Sequence, residues 1–536
     1  MFEASLIILN ANVVTLNPKQ RRAEAIAMQD GKIVAVGSNR EIRKHIRKKT
    51  RIINAKNKTI VPGLVDCHVH MTGFGHSSKS LDLRNVKSVS EMQKRLREFA
   101  EKNHERNWVL GGKWDQERFR EKRYPDRWDL DAAVKDKPVF LTRVCGHIGV
   151  VNSAALELGG ITKRTAVDGG EVDLDEASGE PNGILRENAM DLIAKTIPKP
   201  TQQELEEACV AACKKAVEAG LTCVHWMVTS ADEINTICKL GAEGKLPLRV
   251  CLGISVDLLD ELIRLGLPTG FGNDMVKIGF VKILADGSLG ARTAALKGPY
   301  SDKPETNGMM LYTQKKLNNL VFKAHKAGLQ LAIHAIGDRA ADAALKSYEK
   351  ALKEYPRKNH RHRIEHCSVL NPKLIKRMKH SNIIASVQPH FVVSDFWASD
   401  RVGRTRARWV YPFKTLIQEG LAVVSGSDCP VEPINPLLGI WAAVARKSFA
   451  EEGLTVEKAL RTYTANAAYA SFDEEKRGTI EVGKYADLTV LSDDLSGVPP
   501  DDIKKIDVEM TIVDGKVVYA RKPLPQRRQR LEPRPF

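Results

Sequence analysis

Five short apolar runs, dispersed along the chain, each carry a metal-capable residue at or just past the C-terminal end, and no other feature constrains the fold as strongly. The first is Val61-Pro-Gly-Leu-Val-Asp-Cys-His-Val-His70; the others bring Lys282, His334, His366 and Asp428. In a β-strand, side chains two apart point to one face, so His68 and His70 can grip one cation together. An isolated His-x-His pair more often just satisfies local hydrogen bonds, and the further stations are what turn it toward metal chemistry. Residues this far apart in sequence meet in a (β/α)8 barrel, an α/β fold in which the C-terminal ends of all strands converge on one face.

The rest of the chain fits around such a barrel. Strand-like runs alternate with helical stretches between residues 221 and 430, as βα units do. Strand one is predicted at Val61–Val65, and strands two to eight at Thr222–Trp226, Leu248–Ile254, Ile278–Leu284, Leu329–Ala335, His362–His366, Ile383–Gln388 and Ala422–Ser425. Thr201 with Glu204 forms a capping box and Gly220 can end the same helix, which makes Gln202–Ala219 the first barrel helix. Residues 75–200 are far too many for a βα loop and are predicted to form an inserted α+β domain that shapes the substrate pocket. Short apolar runs broken by Asp30-Gly31 and Asp514-Gly515 mark hairpins near both ends of the chain. Residues 1–60 and 475–520 are therefore predicted to build one flanking β-sandwich. Barrel strand one falls within 61–74, the rest of the barrel within 201–474, and a basic tail at 521–536.

Composition excludes several classes of function. No apolar run approaches the ~20 residues needed to span a bilayer, and the N-terminus lacks the basic and apolar regions of a secretory signal. A cytoplasmic protein without a membrane partner is expected. Nine cysteines, an odd number without a Cys-x-x-Cys pair, fit a reducing compartment. Cys67, of opposite strand parity to the histidines, and Cys429 are predicted to be packing residues. The net charge of +17 raises nucleic acid as a partner, but basic runs such as Arg40–Arg51 and the tail with Arg527, Arg528 and Arg530 come without any nucleic-acid-binding motif. They are predicted to be solvated faces, with nucleic-acid binding not the main function.

The chain resembles the amidohydrolase superfamily, in particular its third large subgroup, which includes N-substituted formamide deformylases and exoenzyme-regulatory proteins. The resemblance spans nearly the whole chain. It is carried by Val61–His70, Gly112-Lys-Trp-Asp-Gln116, Val281–Ala294, Ile333–Ala340, Arg363-Ile-Glu-His366 and Ser425-Gly-Ser-Asp-Cys-Pro430. It implies a distorted barrel with a flanking β-sandwich, one or two Zn2+-like divalent ions, and activated water attacking a non-peptide C–N bond. The residue types suit that reaction independently, because a bound Zn2+ lowers the pKa of water from about 15.7 to about 7, and imidazole and carboxylate donors without a tetrathiolate set belong to open catalytic sites.

By resemblance, His68, His70 and Asp428 would hold one metal, and His334 and His366 a second. Lys282 would bridge them once carboxylated, since a free ammonium would repel two dications. Lys277 competes for that role, but it sits at the start of strand four and Lys282 near the catalytic end. A mononuclear site using part of this set is the alternative. Asp428 is the expected proton shuttle between water and the leaving nitrogen. Trp114, Asp115, His147, Asp338 and His390 are weaker substrate-site candidates, and Asp338 reads equally well as a helix-entry charge. His362 lies at the far end of its strand and His225 reads as a core histidine. The expected substrate is a small N-acyl, N-formyl or cyclic amide, and the resemblance makes a homodimer the expected assembly. The alternatives are a deaminase or non-hydrolytic enzyme of the same superfamily, or a regulatory, nucleic-acid-binding protein on the same fold.

Overall fold

The computed structural model describes residues 3–521 apart from position 78. Apart from Arg521, the predicted basic tail lies outside the described residues. At the centre is a sheet of eight strands, β1 (Leu64–Val69), β2 (Leu221–Val228), β3 (Arg249–Ser255), β4 (Val276–Leu284), β5 (Gln330–Ala335), β6 (Arg363–His366), β7 (Ile384–Val387) and β8 (Val423–Ser425), paired in sequence order. Every pairing within it is parallel. Just past β8, the Asp428 N–H donates to the His68 carbonyl at 2.7 Å and the His70 N–H to the Cys429 carbonyl at 2.8 Å, which draws the last strand onto the first and closes the barrel.

Asp66 fastens the same seam. Its Oδ1 accepts the backbone N–H groups of His68 and Ser427, each at 3.0 Å, and its Oδ2 accepts the Ser427 hydroxyl at 2.5 Å. Gly426 is required here, because a Cβ on it would lie 2.5 Å from the His68 nitrogen.

The start of strand one differs from the sequence expectation. Residues 61–65 do not form one strand. Thr59–Pro62 belongs to the flanking sandwich, where it pairs antiparallel with Leu488–Leu491, and the barrel strand begins at Leu64. The break falls at Gly63, whose Cβ, if present, would come within 2.2 Å of Thr222 Oγ1. A close approach of β2 thus converts one apolar run into two strands in different sheets.

The sandwich packs a four-stranded sheet from the N-terminal region against a six-stranded sheet that interleaves both chain ends. Ile8, Val13, Ile26, Ile60, Leu488 and Ile512 share its core. Both Asp-Gly pairs are hairpin turns, with φ of 47° and 74° at Asp30 and Gly31 and 54° and 70° at Asp514 and Gly515, the left-handed pair that a two-residue hairpin loop demands. The helix Gln202–Glu218 carries the Thr201–Glu204 capping box.

Between β1 and that helix lies a separate six-stranded sheet, running from Leu81–Asp82 to Pro181–Glu187, with helices such as Val89–Lys102 against it. Its own core includes Met92, Leu96, Val109, Phe119 and Leu141. Asp82, Lys113, Arg143 and Glu187, at the ends of strands in this sheet, line one cavity with residues at the C-terminal end of the barrel. Among the described residues no helix is long and apolar enough to cross a membrane.

Candidate metal centre

Val65 and Cys67 pack with Cys223, Ile384, Val424, Ala467 and Ala470, and a register shift against β2 between Val224 and Trp226 breaks strict alternation just before His68. His68 is 1% exposed. Its Nδ1 lies 2.6 Å from Glu365 Oε2, so Nδ1–H donates to the carboxylate and the Nε2 lone pair faces the barrel mouth. Glu365 is itself locked in place. Arg363 donates to its two oxygens at 2.7 and 3.0 Å, and the Ser386 hydroxyl at 2.8 Å. Arg363 also reaches the Cys67 carbonyl at 2.8 Å and His225 Nδ1 at 2.9 Å. Burial alone would raise the Glu365 carboxyl, but Arg363 and His68 hold it well below the usual carboxylate range.

Around His68 Nε2 the remaining side chains gather. Asp428 Oδ1 lies 3.4 Å from His68 Nε2 and 3.2 Å from His70 Nε2. One ligand atom from each of these residues falls within 4.8 Å of the others. Lys282 Nζ is 3.1 Å from His68 Nε2. The His366 ring centroid is 5.0 Å from that of His68 and 4.4 Å from that of His334. His334 Nε2 donates to the Gly287 carbonyl at 3.0 Å, which leaves its Nδ1 as a lone pair.

Two of these residues reach the cluster only through unusual backbone. His366 has φ of 74° and Asp428 φ of 58°. Such left-handed non-glycine residues are held by their surroundings and concentrate at functional sites.

The electrostatics set the protonation state of the cluster. Burial, with Lys282 nearby, pulls His68 down to about 4. Burial, as the largest cause, also pushes His334 and His366 well below their usual value. The imidazoles of His68, His334 and His366 are therefore neutral. His366 Nδ1 is buried with no hydrogen-bond partner, although buried polar atoms nearly always have one. Burial lowers Lys282 to about 8, whereas Asp428, which burial would raise, is held at about 2 by His68, His70 and Lys282. The ligand atoms of His68, His70 and Asp428, gathered within 4.8 Å, form a donor set of imidazole and carboxylate that fits a divalent cation.

The cluster lies in a cavity of about 1050 Å3 between barrel and insert. Asp115, His147 and His390 all line it. Arg143 Nη2 donates to Asp115 Oδ1 at 2.9 Å, and His147 Nδ1 is 2.7 Å from Glu187 Oε2. His390 bonds Glu432.

Trp114 and Asp338 correct the sequence expectation. Trp114 is fully buried in the insert core and donates through Nε1 to the Leu141 carbonyl at 2.9 Å. Adjacent strand residues face opposite ways, so with Asp115 in the cavity its neighbour cannot be there. Asp338 lies outside the cavity lining, in the first turn of the helix Asp338–Glu354, where it accepts the Lys297 N–H at 2.8 Å. That is the helix-entry role.

Lys277, the rival to Lys282, is ion-paired with Asp473 at 2.5 Å at the strand's other end. His362 is also remote from the cluster, bonding His325 at 2.8 Å. Sequence reasoning passed over Glu365, Arg363 and Glu187. Two charges of one parity in the buried strand Arg363-Ile-Glu365 were the available signal for the first two; Glu187 carries none.

The family model described as the amidohydrolase family matches residues 51–519. YtcJ of Bacillus subtilis (strain 168), which carries the amidohydrolase name, is 36% identical over 529 residues, covering 95% of this chain and 98% of the relative. The N-substituted formamide deformylase of Arthrobacter pascens is 28% identical over 547 residues, covering 96% and 98%. A crystal structure of a metal-dependent hydrolase from Pyrococcus horikoshii OT3 superposes with a TM-score of 0.76 at 32% identity, covering 92% of this chain and 99% of that one. The chain belongs to the amidohydrolase family and is a metal-dependent hydrolase acting on carbon–nitrogen bonds.

Proposed function

We propose that the protein hydrolyses a non-peptide amide, of the N-acyl, N-formyl or cyclic class, at the cluster beneath the insert. The observation that carries this reading is the gathering of His70, Lys282 and the Asp428 carboxylate around His68 Nε2. His68, His70 and Asp428 would hold one zinc-like ion, and His334 with His366 would hold a second. A bound ion of this kind supplies Lewis acidity, lowering the pKa of water and polarising a carbonyl.

The chain's own residues supply the rest. Glu365 fixes the tautomer of His68, so that the lone pair and not the N–H faces the mouth of the barrel. Burial lowers the Lys282 amine to about 8 and so enlarges its unprotonated minority at neutral pH. That is the form that reacts with CO2 to give a carbamate, which would turn a repulsive ammonium into an anionic bridge. Asp428 is ionised at neutral pH, so it can take the proton of the attacking water and pass it to the departing nitrogen. The Arthrobacter relative named for formamides supports including that class among the substrates.

The test is turnover of a panel of N-formyl, N-acyl and cyclic amides by metal-loaded protein, by chelator-treated protein and by Asp428→Asn. Chelator-sensitive hydrolysis, lost by at least a hundredfold in the variant, is the expected outcome. Turnover indifferent to both treatments would refute the assignment.

A further inference from the structure

Of the cations that line the cavity over the metal centre, Arg84, Arg95, Arg118 and Arg143 are each ion-paired with a carboxylate, and Lys282 stands in the cluster itself. Lys113 differs. Among the described residues its amine has no carboxylate within ion-pair distance and no hydrogen-bond partner. The residue is half-buried, and burial first, with the Arg84 charge second, pulls the amine below the usual lysine value. A cation partly withdrawn from water without a partner is unfavourable.

The backbone that delivers Lys113 is unusual. In the insert sheet Gly112 pairs with Thr142 and Trp114 with Arg143, so Lys113 is an extra residue on its strand, a β-bulge. Its φ is 69°, in the left-handed region that residues with a side chain seldom adopt. Gly112 permits the bulge, since its φ is 154° and a Cβ on it would lie 2.3 Å from Thr142 Oγ1. Bulges re-aim side chains beside active sites, and strained residues collect there. Trp114 belongs to the insert core, while Lys113 and Asp115 on either side of it both line the cavity.

The neighbouring strand brings a second donor. Asp82 stands opposite Gly112, and Arg84 grips it, with Nε donating to the two oxygens at 3.0 and 2.9 Å and Nη2 donating to Oδ2. Arg84 Nη1 is left without a protein partner among the described residues, on a side chain that is 53% exposed. The charges of Lys113 and Arg84 both act on the thiol of Cys429, which directly follows Asp428, so the two cations stand on the Asp428 side of the cavity. Lys113, Arg84 and Asp82 together carry one surplus positive charge.

We propose that Lys113 is a specificity residue of the active site and that, with Arg84, it binds a carboxylate on the substrate, so that the preferred amide is one bearing a single carboxylate. This deepens the hydrolase reading above and rests on it. A carboxylate matches the surplus of one positive charge, whereas a phosphate dianion would exceed it. Its two oxygens can accept from the Lys113 ammonium and from Arg84 Nη1–H in charge-assisted hydrogen bonds.

The test is kcat/KM of the metal-loaded protein for paired substrates: the N-formyl and N-acetyl derivatives of glycine, β-alanine and 6-aminohexanoate, each against a partner with an isopropyl group in place of the carboxylate. Wild type, Lys113→Met and Lys113→Arg are compared, and thermal melting shows that each is folded. Wild type should favour the carboxylate partner by about tenfold or more at one chain length at least, as one charge-assisted hydrogen bond allows. Lys113→Met should lose most of that preference through KM, Lys113→Arg should keep part of it, and added salt should shrink it. Equal rates for the two partners in wild type at every chain length would overturn the proposal, as would a preference that survives in Lys113→Met. Absence of turnover of either partner would refute the hydrolase reading itself and the inference with it, whereas turnover without charge preference would refute the inference alone.

Discussion

Replacing Glu365 by glutamine removes one charge from the centre of the barrel and almost no volume. In the native protein that charge faces the fully buried Arg363 through hydrogen bonds of 2.7 and 3.0 Å and the His68 ring at 2.6 Å. The amide retains one oxygen for Arg363 but leaves the guanidinium uncompensated. Removing one partner of a buried pair typically destabilises by about 3–5 kcal/mol. The effect on His68 is separate. Without a carboxylate at Nδ1 the ring loses its orienter and some basicity, and changes of this kind lower metal affinity about 10- to 100-fold, or about 1.4–2.7 kcal/mol. The two consequences need two assays, urea denaturation of the metal-free protein and competition titration with a chromogenic zinc chelator. Ser386→Ala is the control, since it leaves the charge in place while removing the 2.8 Å hydrogen bond to the same carboxylate and the 2.9 Å one accepted from Arg363, and should destabilise by about 1–3 kcal/mol with affinity nearly unchanged. Wild-type zinc affinity in Glu365→Gln would refute the argument that this carboxylate sets His68 for coordination.

Three further outcomes follow from the same geometry. The Glu365 carboxyl titrates lower in the folded protein than in the unfolded chain, so its stabilisation is full above about pH 5 and declines as acid protonates the unfolded chain first. Denaturation midpoints measured from pH 6 to pH 3 should fall more steeply in wild type than in Glu365→Gln, and equal slopes would contradict this. Of the nine cysteines, Cys238 is exposed and Cys145 half-buried, while the rest are buried; burial pushes the Cys209 and Cys251 thiols up to about 12 and 11. Ellman's reagent should therefore titrate Cys238 and Cys145 rapidly in the native protein and the others only after denaturation. Gly426→Ala puts a Cβ 2.5 Å from the His68 nitrogen and 2.8 Å from Asp66 Oδ1, which should destabilise by about 1–3 kcal/mol and lower zinc stoichiometry; a wild-type melting temperature would show that the seam gives way freely.

The fold was legible wherever a periodic pattern met a punctuating residue. Asp30-Gly31 and Asp514-Gly515 marked their hairpins, and Thr201 with Glu204 marked the first barrel helix. The convergence of His68, His70, Lys282, His334, His366 and Asp428 followed from where each falls on its strand. What escaped depended on contacts between distant segments. Nothing local distinguishes the apolar run 61–65 from a single strand, because the break at Gly63 is imposed by Thr222 on another strand. Trp114 and Asp115 could not both face the cavity, but parity alone does not say which one does; the packing of the insert core decides. Glu187 and Glu432, which orient His147 and His390, lie 40 and 42 residues from their partners and carry no motif. The left-handed backbone that delivers His366 and Asp428 is likewise invisible in residue type.

Anomalous diffraction at the zinc edge, from crystals grown with zinc, tests the central claim most directly. The predicted result is a peak about 2.0–2.2 Å from the Nε2 atoms of His68 and His70, with extra density continuous with Lys282 Nζ. An ordered cluster showing no anomalous peak within bonding distance of His68, His70 or Asp428 would contradict it.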